Sequence, residues 1–177
     1  MYRRIVVPLD GSPLAEQAVP AAEELSRLTG APLHVVRITA VVKPGQFGVF
    51  TALEAAAYAE VVSTDDAESA AYLDEMRTRL SARGLTVTTE LGRGDPAREL
   101  IALMRPDDVI VMATHGRGGV GRALIGSVAD EVVRRSSVPI LLVRATGENE
   151  RRPQPTDKER SKHPKHEPAA ALTYEPW

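Results

Sequence analysis

The 177-residue sequence predicts an α/β protein: an open, doubly wound, five-stranded parallel sheet of Rossmann-like type with helices on both faces. Three observations carry that prediction. Short β-branched runs alternate with segments of helical period in the order β-α-β-α-β-α-β-α-β. The runs are apolar at consecutive positions, as in strands covered on both faces. Composition then breaks after Val143-Arg144, which sets a folded domain over 1–144 apart from a tail over 145–177.

The first strand reads Arg4-Ile5-Val6-Val7-Pro8-Leu9 and ends in Asp10-Gly11-Ser12-Pro13, a turn whose Asp10 is suited to cap a helix. Ala15, Ala18, Ala22, Leu25 and Leu28 follow at helical spacing, and Gly30 stops the pattern. The second strand is Leu33–Ile38, with His34 and Arg37 expected at a sheet end or snorkelling to water. From Val41 to about Thr64 the pattern is irregular, with a short helix over Ala52–Val62. A clearer helix runs from Ala67 to Arg83 and closes at Gly84.

The third strand is Leu85–Leu91. Asp95 as N-cap and Pro96 at the first helical position then open a helix that reaches Met104. Val109–Met112 is the fourth strand, a helix follows from about Ser127 to Arg135, and Val138–Val143 is the fifth strand. The 33 residues from Ala145 to Trp177 hold five of the thirteen prolines and twelve charges, with no sustained apolar period. Such a segment does not bury enough surface to offset its ordering entropy, so a disordered tail is expected.

Composition narrows the function. A net charge of −2 supplies no basic field for nucleic acid, so no nucleic-acid partner is expected. The absence of cysteine excludes a disulfide framework, a thiolate zinc site and a thiol nucleophile. No apolar run approaches the roughly 18 residues of a membrane span, and Met1–Val7 is too brief for a signal-peptide core. A soluble cytoplasmic protein without a membrane partner is the expectation.

In a doubly wound sheet, ligands bind at the carboxyl ends of the strands where strand order reverses. Two such ends are chemically unusual: Pro8-Leu9-Asp10 after the first strand, and Ala113-Thr114-His115, leading into Gly116, after the fourth. The latter continues through five glycines to Gly126-Ser127-Val128. Glycines let a ligand approach the backbone closely. A helix starting near Ser127 offers free N–H groups and the positive end of its dipole. With a cation from Arg117 or Arg122, these parts favour an anion, most naturally a phosphate chain.

These residues resemble the universal stress protein family. Gly116 is followed by nine residues and then Gly126-Ser127, as in the second half of the family's Gly-x2-Gly-x9-Gly-Ser/Thr nucleotide motif; Ala113 stands at the first glycine. Val7–Ser12, the Gly92-x-Gly94-Asp95-Pro96 run and Ser137–Val143 extend the likeness over about 1–144. The resemblance implies an ATP-binding stress-response regulator using Mg2+ or Mn2+. It puts Pro8 in the nucleotide site and Asp10 beside the adenine and ribose, with Asp10 also helping to hold the metal. Ile38 would touch the base, Met112 and Ala113 would form the floor, and Gly116, Arg117, Gly126, Ser127 and Val128 would surround the phosphates. It further implies a homodimer through strand 138–143 and a protein partner that reads the bound state.

Other readings stand beside this one. A nucleotide-free dimeric scaffold fits Ala113 and the long tail. Gly116-x-Gly118-x-x-Gly121 matches a dinucleotide fingerprint, but it follows the fourth strand and lacks the acidic residue about 20 positions on. A hydrolase on Ser127, His115 and Asp10 lacks a Gly-x-Ser-x-Gly elbow. Loop residue His115 is expected to bond backbone. The order is a nucleotide-binding regulator first, a scaffold second and an enzyme third, at most a slow ATPase.

Overall fold

The protein is described by a computed structural model covering residues 2–40, 52–114 and 126–145, with 52–61 given by their backbone alone. The expectations for Gly116, Arg117 and the tail beyond Ala145 lie outside these residues. The sheet has five strands, all parallel, in the order β3-β2-β1-β4-β5. These are β1 (Arg4–Pro8), β2 (Leu33–Thr39), β3 (Val87–Arg93), β4 (Asp108–Thr114) and β5 (Ile140–Arg144). A 3-10 turn (Ala15–Ala18), α1 (Val19–Thr29), α2 (Ala52–Ser81), α3 (Pro96–Ala102) and α4 (Ser127–Arg135) connect them.

Alternate side chains of each strand enter separate cores, as the pleat requires. Ile5, Val7, Leu33, Val35, Val109 and Val111 pack with Val19 and Ala22 of α1 and Leu73, Met76 and Leu80 of α2. Val6, Val36, Ile110 and Met112 pack with Ala97 and Leu100 of α3 and Ala129 and Val132 of α4. The doubly wound architecture expected from the alternation is therefore present. Burial on both faces holds for the central strands only; β3 and β5 are edges and remain half exposed.

Several local expectations are corrected. The irregular stretch and two helices expected between Val41 and Arg83 give way, from Ala52 on, to a single 30-residue helix, α2. Ser63-Thr64-Asp65-Asp66 contains neither Gly nor Pro, and Asp66 accepts a hydrogen bond from Arg93 Nε of β3 (3.1 Å), which ties the helix to the sheet. Leu28 was expected on the buried stripe of α1 but is 76% exposed. At roughly 100° per residue it lies about 120° around the helix from Ala22, and Ser26 takes the inward place.

Asp10 caps no helix. Its Oδ1 accepts the Ser12 N–H (2.8 Å), while Ser12 Oγ accepts the Ala15 N–H (3.1 Å) at the start of the 3-10 turn. Ser127 is the first residue of α4 and not its cap; Gly126 takes that place with no side-chain bond. Strand β3 starts two residues later than expected, because Leu85 turns into the core and the register with β2 begins at Leu33–Val87. Strand β5 also starts two residues late, although the Pro139 carbonyl still accepts the Ile110 N–H (3.0 Å).

His34 lies near the amino end of β2, as expected, but it does not reach water. It is buried, with Nδ1 2.8 Å from Thr88 Oγ1 and Nε2 3.0 Å from Glu90 Oε2. Burial, aided by the Arg4 charge, lowers its pKa below the usual 6.5 against the opposing pull of Glu90 and Asp108. Asp108, at the amino end of β4, accepts from Arg4 Nε (2.9 Å), Arg4 Nη2 (2.5 Å) and the Arg105 N–H (2.7 Å). Burial alone would raise its pKa, but those bonds and the Arg4 charge hold the carboxyl below its usual range.

Candidate functional site

Strand order reverses between β1 and β4, so their carboxyl ends diverge and leave a crevice. The Leu9 N–H carries the ladder one bond further, to the Val36 carbonyl (2.8 Å). The chain then turns away through Gly11, whose φ of +86° is a left-handed conformation suited to glycine. The crevice is a pocket of about 350 Å³. Pro8, Asp10, Ile38, Met112, Ala113, Gly126, Ser127 and Val128 all line it. Every described residue that the sequence nominated thus faces one space; Gly116 and Arg117 lie outside the described residues.

The walls differ in chemistry. Val36, Ile38, Leu100 and Met112 form an apolar side fit for a flat ring. On another side α4 begins at Ser127, with Gly126 as its N-cap, and among the described residues no side chain caps its first N–H groups, which a helix start offers to an anion. Among the described lining residues Asp10 is the one charged group. With Oδ1 engaged by Ser12, its second oxygen takes no bond from a described residue. A divalent ion there would gain one carboxylate ligand and draw the rest from ligand phosphates and water, as Mg2+ commonly does. Among the described residues no group of three or more His, Asp or Glu side chains could hold a metal alone.

Sequence reasoning missed part of the lining. Leu14 and Ala15 enter from the 3-10 turn, and Pro96 and Leu100 from α3. The first two follow Asp10–Pro13 directly, and that proximity was a usable signal. The α3 pair becomes adjacent through the crossover from β3 to β4, which no local pattern reports.

A second cleft of about 710 Å³ lies at the opposite, amino end of the strands, lined in part by Arg4, His34, Thr88, Glu90 and Asp108. Its polar floor is already satisfied internally. Arg4 bonds Asp108 and the Leu103 carbonyl (3.0 Å), and His34 bonds Thr88 and Glu90. The switch-point pocket, where among the described residues the amides of a helix start and one Asp10 oxygen take no side-chain bond, is the better candidate. No helix among the described residues is long and apolar enough to cross a membrane.

Comparison with known proteins agrees with this geometry. A family model described as the universal stress protein family matches residues 1–144. A universal stress protein of Methanocaldococcus jannaschii is 29% identical over 149 residues, covering 81% of this chain and 83% of that protein. Among solved structures, the universal stress protein UspA from Lactobacillus plantarum aligns with a TM-score of 0.68 at 20% identity, over 81% of this chain and 98% of that one. A universal stress protein in complex with cAMP aligns with a TM-score of 0.58 at 24% identity, over 82% and 98%. At these identities the two structures share the fold with this chain.

Proposed function

Since the chain belongs to the universal stress protein family, we propose that it is an adenine-nucleotide-binding regulator that takes ATP with Mg2+ (or Mn2+). The observation that carries this reading is the switch-point pocket, which joins an apolar wall, the start of α4 and the Asp10 carboxylate, the one charged group among the described lining residues. The base rests between Ile38 and Met112. The phosphates turn toward the amides of Ser127 and Val128, and Asp10 would supply a carboxylate ligand to the metal, which would offset the phosphate charge. That a protein of the same fold was solved with cAMP is compatible with the adenine class.

Regulation follows from position. The residues that meet the ligand belong to strand ends, to the turn after β1 and to the start of α4, so occupancy changes surfaces that a protein partner reads. A second copy pairs along β5, an edge strand with Leu141 and Leu142 exposed. The protein acts in the cytoplasm as a switch.

Calorimetric titration of nucleotide-stripped protein with Mg·ATP tests the reading, with NAD and cAMP in parallel. A Kd on the order of micromolar, about −8 kcal/mol, is expected for Mg·ATP. Gly126→Val should abolish it. Gly126 sits at φ −51° and ψ 151°, which valine also adopts, so the variant keeps the fold and fills the phosphate space. Unchanged affinity in that variant, or heat from NAD alone, would overturn the assignment.

A further inference from the structure

Ile38 lines the pocket, while its neighbour Arg37 points to the opposite face of β2, toward α2. There the guanidinium carbon lies 5.3 Å from the centroid of the Tyr72 ring, within cation–π range. The same guanidinium presses on the turn after β1: a Cβ built on Gly11 would fall 2.7 Å from Arg37 Nη1. A Cβ at this position would push the guanidinium aside, and the positive φ of Gly11 itself favours glycine.

Arginines around α1 and α2 usually have a carboxylate: Arg27 and Arg83 hold Glu23, and Arg79 holds Glu16. Arg37 has none among the described residues, so the stack and the turn are what engage it. Tyr72 is itself fixed. Its hydroxyl donates to Glu16 Oε1 (3.0 Å), and Arg79 donates to Glu16 Oε2 (2.7 Å). Glu16 belongs to the 3-10 turn that also brings Ala15 to the pocket. From α2 outward, contacts therefore reach the segment between Asp10 and Glu16 at two points, Gly11 through Arg37 and Glu16 through Tyr72 and Arg79.

We infer that Arg37 and Tyr72 are positioning residues for the pocket, the stacked pair bracing the Asp10–Ser12 turn so that the Asp10 carboxylate meets the phosphate end of the ligand. This rests on the nucleotide reading above and adds two residues that do not line the site. Its consequence is selective. Loosening the turn weakens the metal–phosphate end and spares the base end at Ile38 and Met112, which other elements hold.

The test combines calorimetry with amide hydrogen exchange on Arg37→Met, Tyr72→Leu and Tyr72→Phe. Arg37→Met and Tyr72→Leu should weaken Mg·ATP by about fivefold to tenfold, the scale of a partly buried cation–π contact. Adenosine affinity should stay near wild type. Tyr72→Phe keeps the ring and should keep the ATP-to-adenosine ratio. The Ser12 amide should exchange about fivefold faster in the first two variants, with Val6 and Val7 unmoved as the control for an intact sheet. Wild-type Ser12 exchange together with a wild-type ratio in Arg37→Met would overturn the inference. If the unmutated protein binds neither ATP nor adenosine, the nucleotide reading falls. Ser12 exchange then decides the bracing alone: faster exchange supports it and unchanged exchange refutes it.

Discussion

In the proposed function Asp10 has two jobs for one carboxylate, and replacing it by Asn separates them. In the fold, Oδ1 accepts the Ser12 N–H at 2.8 Å in an exposed turn. An Asn amide oxygen accepts the same bond, so Asp10→Asn should leave stability within about 0.5 kcal/mol of wild type. Asp10→Ala removes the bond, worth about 1 kcal/mol net, which is a fall of roughly 3 °C in a domain of this size. For the ligand, the charge is what matters. Against a metal-bridged triphosphate the carboxylate is attractive, and its loss at a solvent-facing site should cost about 1.4 kcal/mol, or tenfold in Kd. Against metal-free ATP the same carboxylate repels phosphate, so Asp10→Asn should bind as well as wild type or better. Calorimetry in Mg2+ and in EDTA, with a thermal melt of each variant, reads both effects. An equal loss of affinity under the two conditions would refute the metal-bridging role, and so would no loss in Mg2+.

The opposite end of the sheet carries the stability predictions. Asp108→Ala strips Arg4, itself largely buried, of its carboxylate and leaves it the Leu103 carbonyl. An uncompensated charge of this kind costs about 3–5 kcal/mol, measurable by urea denaturation; a loss below about 1 kcal/mol would contradict the pairing. His34 predicts a pH dependence. Its pKa is lowered in the fold, so on acidification the unfolded chain takes up the proton first and stability falls once pH drops below about 6.5. His34→Gln should flatten that slope between pH 7 and 5, and an unchanged slope would show that His34 does not cause it. Asp108 acts in a lower window: its folded pKa is depressed, so its contribution is present above pH 3.8 and lost as pH falls through the folded value.

How much of this was legible beforehand depends on how local the information is. The alternation of β-branched runs with helical segments states the fold class, since each run must find strand neighbours and each helix a face to cover. Pro8, Asp10 and Ala113 could be named from the sequence because they sit at or just past the carboxyl ends of strands beside glycine-bearing turns, whereas Ile38 and Met112 followed from the family resemblance. Gly126-Ser127-Val128 could be named because a helix start follows a glycine-rich run. Local pattern failed where a competing tertiary bond decided. Arg93 reaching Asp66 favours one unbroken α2 over two helices. Thr88 and Glu90 on the next strand turn His34, a residue expected at a sheet end, into a buried and bonded one.

The sequence by itself therefore determined the class of fold, the order of its elements and the two strand ends that flank the crevice. Periodicity and turn chemistry act over a few residues, and those features are written at that range. Only the tertiary structure decided which side chains become neighbours: Arg4 with Asp108 across 104 residues, Arg37 with Tyr72, and α3 with the pocket that β1 and β4 open. A period reports which way a side chain faces, not what it faces. That is set by strand order and register, through pairings whose partners are far apart in the chain.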